Sequence, residues 1–194
     1  MPKVGMEPIR RKAMVQATIE EIGRAGTLDV TVTQIAKRAG VSTALVHHYF
    51  GSKEKIFMAA MRHVLSVYGA EVRGALLMSD TPQQRVEAIV RASFSTNNFK
   101  KEVLSAWLNF YVAAQTLPEA QRLLRVYQRR IVSNLTSCLR PLMGARAPSV
   151  ARRLAALIDG IYLRMGLGGE EPNANTAVTM VLELLELEQD RQLH

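Results

Sequence analysis

One cysteine, Cys138, occurs in 194 residues. No disulfide can form within the chain, so stability has to come from a packed core, and a reducing cytoplasm is the expected setting. No run of about 18 apolar residues is present, so no transmembrane helix is expected and no membrane partner is implied. The opening Met1-Pro2-Lys3-Val4-Gly5-Met6 has a basic residue but no apolar stretch behind it, and does not read as a secretory signal. Alternating strand patterns of useful length and internal repeats are missing too. So are a Gly-rich phosphate loop, His-Glu-x-x-His, Gly-x-Ser-x-Gly and Cys-x-x-Cys. No catalytic residue is therefore named, and an enzyme is not expected.

What is present is a chain 48% hydrophobic, enough for a core and against overall disorder. The net charge of +8 is uneven. Residues 1–63 hold ten Lys/Arg against five Asp/Glu, a net of +5, and the remainder fifteen against twelve. A basic first third is the electrostatic footprint of a polyanion-binding module.

Between glycines and prolines, apolar residues recur at three- and four-residue steps, the helical period. Val15, Ile19 and Ile22 mark a first helix from about Pro8 to before Gly26. Thr31, with Gln34 three residues on, is a capping box opening a second helix that ends at Gly40. Ser42 caps a third to about Phe50, and Ser52 a long fourth to about Met78. Thr81-Pro82 starts a fifth ending near Ser95, followed by a linker, Ser95 to Asn98. A sixth runs to about Gln115, and Pro118 begins a seventh to about Arg140. Pro141 to Pro148 reads as a loop, Ser149 to Leu167 as an eighth helix broken by Gly168-Gly169, and Asn173 or Asn175 starts a ninth. The expectation is an all-α chain of about nine helices, with a reading domain over residues 1–53 and a sensing and dimerisation domain over 54–194.

The segment VTQIAKRAGVSTALVHHYF, residues 32–50, has the parts of a helix-turn-helix. Ala36 is the small residue where the two helices touch, and Gly40 lies at the turn. Val32, Ile35, Val41, Leu45 and Val46 point inward. Thr43, Ala44, His47, His48 and Tyr49 remain outward on the second helix, a hydrogen-bonding surface with one small residue for close approach to base edges. Lys53, together with the run Arg10-Arg11-Lys12, is placed for phosphates. A metal at His47-His48 is not expected: adjacent residues on a helix point about 100° apart, and no other ligand is in sight.

IAKRAGVSTALVHHYFGSKEKIF resembles the TetR-family signature: a helix-turn-helix, an aromatic pair, then Ser-Lys-Glu opening helix four. The resemblance implies DNA contacts at Ser42, Ala44, His47, His48, Tyr49 and Lys53, with Thr31 capping helix two against the backbone. Thr33, Thr43, Arg10 and Arg11 complete the expected DNA-binding set. The family fold of nine helices, with the last two forming a dimeric four-helix bundle, agrees with the count above. Two-fold symmetry then places two recognition helices about one turn of double-stranded DNA apart on a palindromic operator.

Aromatic residues make up only 6% of the chain, so a cluster of them stands out. Trp107, Phe110 and Tyr111 lie at i, i+3 and i+4 on one face of helix six. On helix eight Asp159 interrupts an apolar run, with Tyr162 three residues on. A charge in such a run is costly to bury without a partner. Arg153 or Arg164 is one candidate, and a cationic ligand is another. Rings plus a carboxylate are the recognition chemistry of quaternary ammonium groups.

MPKVGMEPIRRKAM, AWLNFY and ALIDGIYLR resemble the choline-responsive repressors of glycine betaine synthesis, a TetR branch. That resemblance implies a choline pocket lined by Trp107, Tyr111, Asp159 and Tyr162, with osmoprotectant genes under control and no cofactor. Tyrosine stands at 111 and 162, where relatives often carry tryptophan, which is the stronger ring face. A ligand between helices six and eight would act by shifting helix four.

Leu154, Leu157, Ile158 and Ile161, with Val178, Val181, Leu182 and Leu185, form two apolar stripes expected to build the homodimer through helices eight and nine. Two alternatives stay open: a different small hydrophobic or cationic effector, and an architectural DNA binder without one. The affinity ratio between a palindrome and random DNA separates the second from a repressor.

Overall fold

The computed structural model describes residues 6–168 and 173–191, which form nine α-helices and a short 3-10 turn. In chain order these are α1 (Met6–Ala25), α2 (Val32–Ala39), α3 (Thr43–Phe50), α4 (Lys53–Leu77), α5 (Pro82–Ser93), α6 (Lys101–Thr116), α7 (Pro118–Met143), α8 (Ala147–Leu167) and α9 (Ala174–Asp190). The all-α expectation holds, and the boundaries read from the sequence fall within a few residues of these. The opening five residues and Gly169 lie outside the described residues. No described helix is long and apolar enough to cross a membrane.

Local chemistry sets most of the ends. The Thr31 hydroxyl accepts the Gln34 N–H at 3.1 Å while Gln34 Oε1 accepts the Thr31 N–H at 2.7 Å, closing the capping box of α2. Gly40 follows with φ +67°, a left-handed turn that lets the Val41 N–H reach back to the Ala36 carbonyl at 3.0 Å. Thr81 and Gln84 form a second capping box at α5, with Pro82 in the first turn.

The loop expected from Pro141 to Pro148 is not there. Helix α7 runs through Pro141 to Met143, the 3-10 turn Gly144–Arg146 follows, and α8 begins at Ala147. Pro141 falls in the last turn of its helix, where it forgoes the bond to the Ser137 carbonyl but only two further helical residues follow it. Pro148 falls in the first turn of the next, where the N–H has no intrahelical partner in any case.

Two charged clamps hold the ends of the molecule. Glu21, buried on α1, pairs with Arg24 at 2.9 Å and with Arg38 from α2, and Arg38 also reaches Glu20 at 3.4 Å. The Arg24 hydrogen bond, reinforced by Arg38, holds the Glu21 carboxyl below its usual range despite burial. At the far end Glu188 of α9 takes a two-pronged contact from Arg153 of α8, at 2.8 and 2.7 Å, and a third from Arg146 at 2.8 Å. The Arg153 contact likewise holds Glu188 low.

Of the reading head, α1 sits directly on α6. A Cβ added at Gly23 of α1 would stand 2.5 Å from the Cα of Glu102, so the two backbones touch there. On the same face, Ser105 Oγ donates to the Ile22 carbonyl at 3.4 Å and Asn109 Nδ2 to the Gly26 carbonyl at 3.3 Å. Because the obstacle is backbone, Gly23→Ala has to push α1 off α6. The expected loss, read by urea and thermal unfolding, is roughly 1–3 kcal/mol, the range for overpacking.

Candidate DNA interface and effector site

Helix α3 stands out from the head on the rigid platform of α1 and α2. Val46 and Phe50 are buried beneath it, with Ile35 and Ala36 of α2 under the crossing. Val32, Val41 and Leu45 are partly buried around them. Outward, Ala44, His47 and His48 are exposed and Thr43 is partly so. Their spacing places them on one face. Ser42 Oγ accepts the Leu45 N–H at 3.2 Å and caps the helix. His47 Nδ1 lies 3.3 Å from the Gly51 carbonyl. Since a carbonyl only accepts, Nδ1 carries the hydrogen there.

The basic run divides. Arg10 and Lys12 are exposed. Arg11 donates to the Tyr49 carbonyl at 2.7 Å, and its guanidinium lies 5.6 Å from the Tyr49 ring centre and 4.9 Å from that of Phe50. It ties the start of α1 to the end of α3, and Tyr49 is half covered as a result. Thr31 is occupied by its capping box, Thr33 is exposed on α2, and Lys53 opens α4 beside its cap Ser52.

In the body, Trp107, Phe110 and Tyr111 of α6 converge with Tyr162 of α8, as their spacing implies. Trp107 ring centres lie 5.7 Å from both Phe110 and Tyr111 and 6.2 Å from Tyr162. Phe110 is fully buried. Two further tyrosines join them. Tyr127 of α7 is nearest to Trp107, at 4.8 Å, and Tyr68 of α4 lies 6.0 Å from Tyr127. The sequence reading missed both. Tyr127 falls within an apolar stripe with Leu124, Ile131 and Leu135, a phenol where an aliphatic residue serves as well, and that was the available signal.

Asp159 is partly buried at the centre. Its Oδ1 accepts hydrogen bonds from Tyr111 at 3.1 Å and Tyr127 at 3.2 Å. No described residue makes an ion pair with it: Arg153 is committed to Glu188, and Arg164 makes none. Burial pushes the Asp159 carboxyl above its usual range, and the two tyrosine bonds offset this only in part. Burial and the nearby carboxylate also raise Tyr111 and Tyr127, which therefore stay protonated and donate. The Tyr162 hydroxyl turns away from Asp159: it donates to the Ser93 carbonyl, with that of Asn98 at 3.3 Å. Only its ring faces the cluster. The rings of Tyr111 and Tyr127 both pack against Trp107, and both hydroxyls meet on Asp159 Oδ1.

Most of the expected dimer stripes face inward, with Leu157 and Leu182 left partly exposed. Leu154, Ile158, Ile161, Val181 and Leu185 are at most 2% exposed within one protomer, and Val178 is buried as well. The surface left uncovered on α8 and α9 is Leu163, Leu167, Met180 and Leu187, exposed by 47%, 71%, 40% and 61%. Exposed Ala156 and partly exposed Gly160 continue the α8 part of it, and a Cβ at Gly160 would meet nothing within 4 Å.

A sequence profile described as bacterial regulatory proteins, tetR family, matches residues 14–60, and one described as BetI-type transcriptional repressor, C-terminal, matches residues 82–189. The HTH-type transcriptional regulator BetI of Brucella anthropi is 48% identical over 182 residues, covering 93% of this chain and 94% of the relative. That of Rhizobium meliloti is 49% identical over 168 residues, covering 86% and 83%. Among solved structures, a TetR transcription regulator from Haloarcula marismortui superposes with TM-score 0.83 at 19% identity, covering 93% of this chain and 98% of its own. A transcriptional regulator from Saccharomonospora viridis, in complex with choline, superposes with TM-score 0.80 at 20% identity, covering 93% and 97%. At such identities these two structures establish the shared fold.

Replacing Asp159 separates its charge from its acceptor role. Asp159→Asn keeps an oxygen for the tyrosines and removes a charge with no cationic partner, so unfolding free energy is expected to stay level or rise slightly. Asp159→Ala strands two hydroxyls and is expected to lose about 1–3 kcal/mol. Paired urea unfolding curves make the comparison.

Proposed function

Because the chain belongs to the TetR family of bacterial regulatory proteins and carries the C-terminal domain of the BetI-type transcriptional repressors, we propose that it is a choline-responsive repressor of genes that convert choline to glycine betaine. It is a DNA-binding regulator and not an enzyme. The observation that carries the choline reading is Asp159: a carboxylate that, among the described residues, has no ion pair, is hydrogen-bonded by two tyrosine hydroxyls and sits beside ring faces. A quaternary ammonium supplies the missing charge and has no N–H to donate, so rings are its natural walls. The Saccharomonospora viridis regulator, a protein of the same fold, is known in complex with choline, which supports choline as the ligand.

At the other end, residues 1–53 read the operator and 54–194 sense and dimerise. The exposed face of α3, with Ala44, His47, His48 and Thr43, meets base edges in the major groove. Ser42, Thr33, Arg10 and Lys53 meet phosphates around it. Thr31, Tyr49 and Arg11 hold that surface in place and lie at its margin. The dimer forms through the uncovered apolar surface of α8 and α9, with Ala156 and Gly160 allowing close approach, and pairs two reading heads on a palindrome.

Coupling runs through α6. Its cage residues Trp107 and Tyr111 lie two positions beyond Ser105 and Asn109, about 200° round the helix. One face therefore holds the ligand and the opposite face holds α1. A second route reaches α4, the helix expected to move. Tyr162 grips Ser93 and Asn98, while Ser95, Asn97 and Asn98 all donate to Glu71 of α4, at 2.6, 2.8 and 2.5 Å. The cation has to bind the non-repressing arrangement better, or nothing shifts.

Trp107, the sole tryptophan, is the probe. Its emission is expected to change saturably with choline, but not with sodium chloride or the uncharged carbon isostere of choline. Asp159→Asn is expected to weaken binding by about tenfold or more and to leave an operator-driven reporter repressed in choline. No change in emission and no heat by calorimetry would remove choline as the effector.

The same carboxylate sets a pH dependence. A protonated Asp159 cannot neutralise a cation, and its proton is held to higher pH than usual. Choline affinity should rise with pH through that titration and then level off, whereas the Asp159→Asn protein should bind weakly at every pH. Calorimetric titrations at several pH values test this, and a flat wild-type profile counts against Asp159 as the counter-ion.

A further inference from the structure

Between α4 and α7 lies a cavity of about 590 Å³, a volume well above what choline fills. Tyr68 and Tyr127 are among the residues that line it, and Tyr127 is the residue whose hydroxyl bonds to Asp159. The cavity therefore abuts the aromatic box. Its other walls include Arg62, Arg73, Arg130 and Asn134.

The charges of these walls do not suit a simple cation. Arg62 is neutralised by its ion pair with Glu119. Arg73 and Arg130 make no ion pair with any described residue and are exposed. Two guanidinium groups thus share a cavity whose aromatic side backs onto a carboxylate. Guanidinium groups are planar forks that match the oxygens of carboxylate, sulfate and phosphate, and an amide such as Asn134 can donate to the same oxygens.

We propose that the Arg73–Arg130 cavity is an oxyanion subsite continuous with the Asp159 box, and that the tightest ligand is a zwitterion: a quaternary ammonium that carries a phosphate, sulfate or carboxylate group. This rests on the reading of Asp159 as the cation's counter-ion. The ammonium group lies against the tyrosine rings on the Asp159 side, and the oxyanion lies between the two arginines. Choline, with a hydroxyl in place of the anion, fills only the first half.

Calorimetry on the full-length dimer tests it with choline, choline phosphate, choline sulfate and trimethylglycine as probes. The wild-type protein is expected to bind at least one of the three zwitterions about tenfold tighter than choline, or better. In the Arg73→Gln/Arg130→Gln protein the two ligand classes should move in opposite directions. The favoured zwitterion weakens by about tenfold, while choline, freed of two like charges, tightens by about twofold. Damage to the fold cannot produce such opposite changes, and a thermal melt of the variant checks that it is folded. If choline binds the wild type as tightly as every zwitterion, or if the zwitterion's advantage survives in the double variant, the subsite is overturned while choline stands as effector. If a zwitterion binds with this arginine dependence and choline does not bind, the subsite stands and choline falls.

Discussion

Helix α6 is committed on two opposite faces. Its backbone meets that of α1 at Gly23 and Glu102, an approach too close for any side chain but hydrogen at position 23. Ser105 and Asn109 then bond to carbonyls at the end of α1. From the other face Trp107 and Tyr111 reach into the aromatic box. A packed helix moves as a rigid body. In the proposed coupling a displacement of the box therefore reaches α1 without an intervening loop, and the Glu21–Arg38 ion pair joins α1 to α2.

The aromatic box is tied together by tyrosine hydroxyls around one carboxylate. Two of them donate to one carboxylate oxygen, and burial still leaves that carboxylate easier to protonate than usual. The protein thus holds a charge that is only partly compensated, which is the condition for a cation to gain more by entering than it loses in hydration. Tyr111 belongs to α6 and Tyr127 to α7, so the two donors sit on helices that pack against the reading head or line the neighbouring cavity.

Much of this was legible in the sequence because it is local. Capping boxes at Thr31 and Thr81, the left-handed Gly40 and the caps Ser42 and Ser52 each declare themselves within four residues. The cage residues on α6 and α8 were found because a helix turns the spacing 107, 110, 111 into one face. What escaped depends on contacts distant in sequence. Tyr127 meets Asp159 across 32 positions, and Gly23 meets Glu102 only because two helices cross. The stripes at Leu154 and Val181 were assigned to the dimer because periodicity reveals an apolar face but not what covers it. Those faces are filled by the protomer's own helices, and the free surface is the less obvious set around Leu163, Leu167 and Met180. The stretch from Pro141 to Pro148 reads as a loop, but each proline lies within a terminal turn of a helix and only a 3-10 turn separates the two helices.

Amide hydrogen exchange on the purified protein, with and without saturating choline, tests the two-faced helix most directly. Protection is expected to change along residues 101–116 and around Asp159. It should change as well at the end of α1, from Ile22 to Gly26, where Ser105 and Asn109 hold the carbonyls. A change confined to the box, with α1 exchanging identically in both states, contradicts α6 as the connection between effector and DNA.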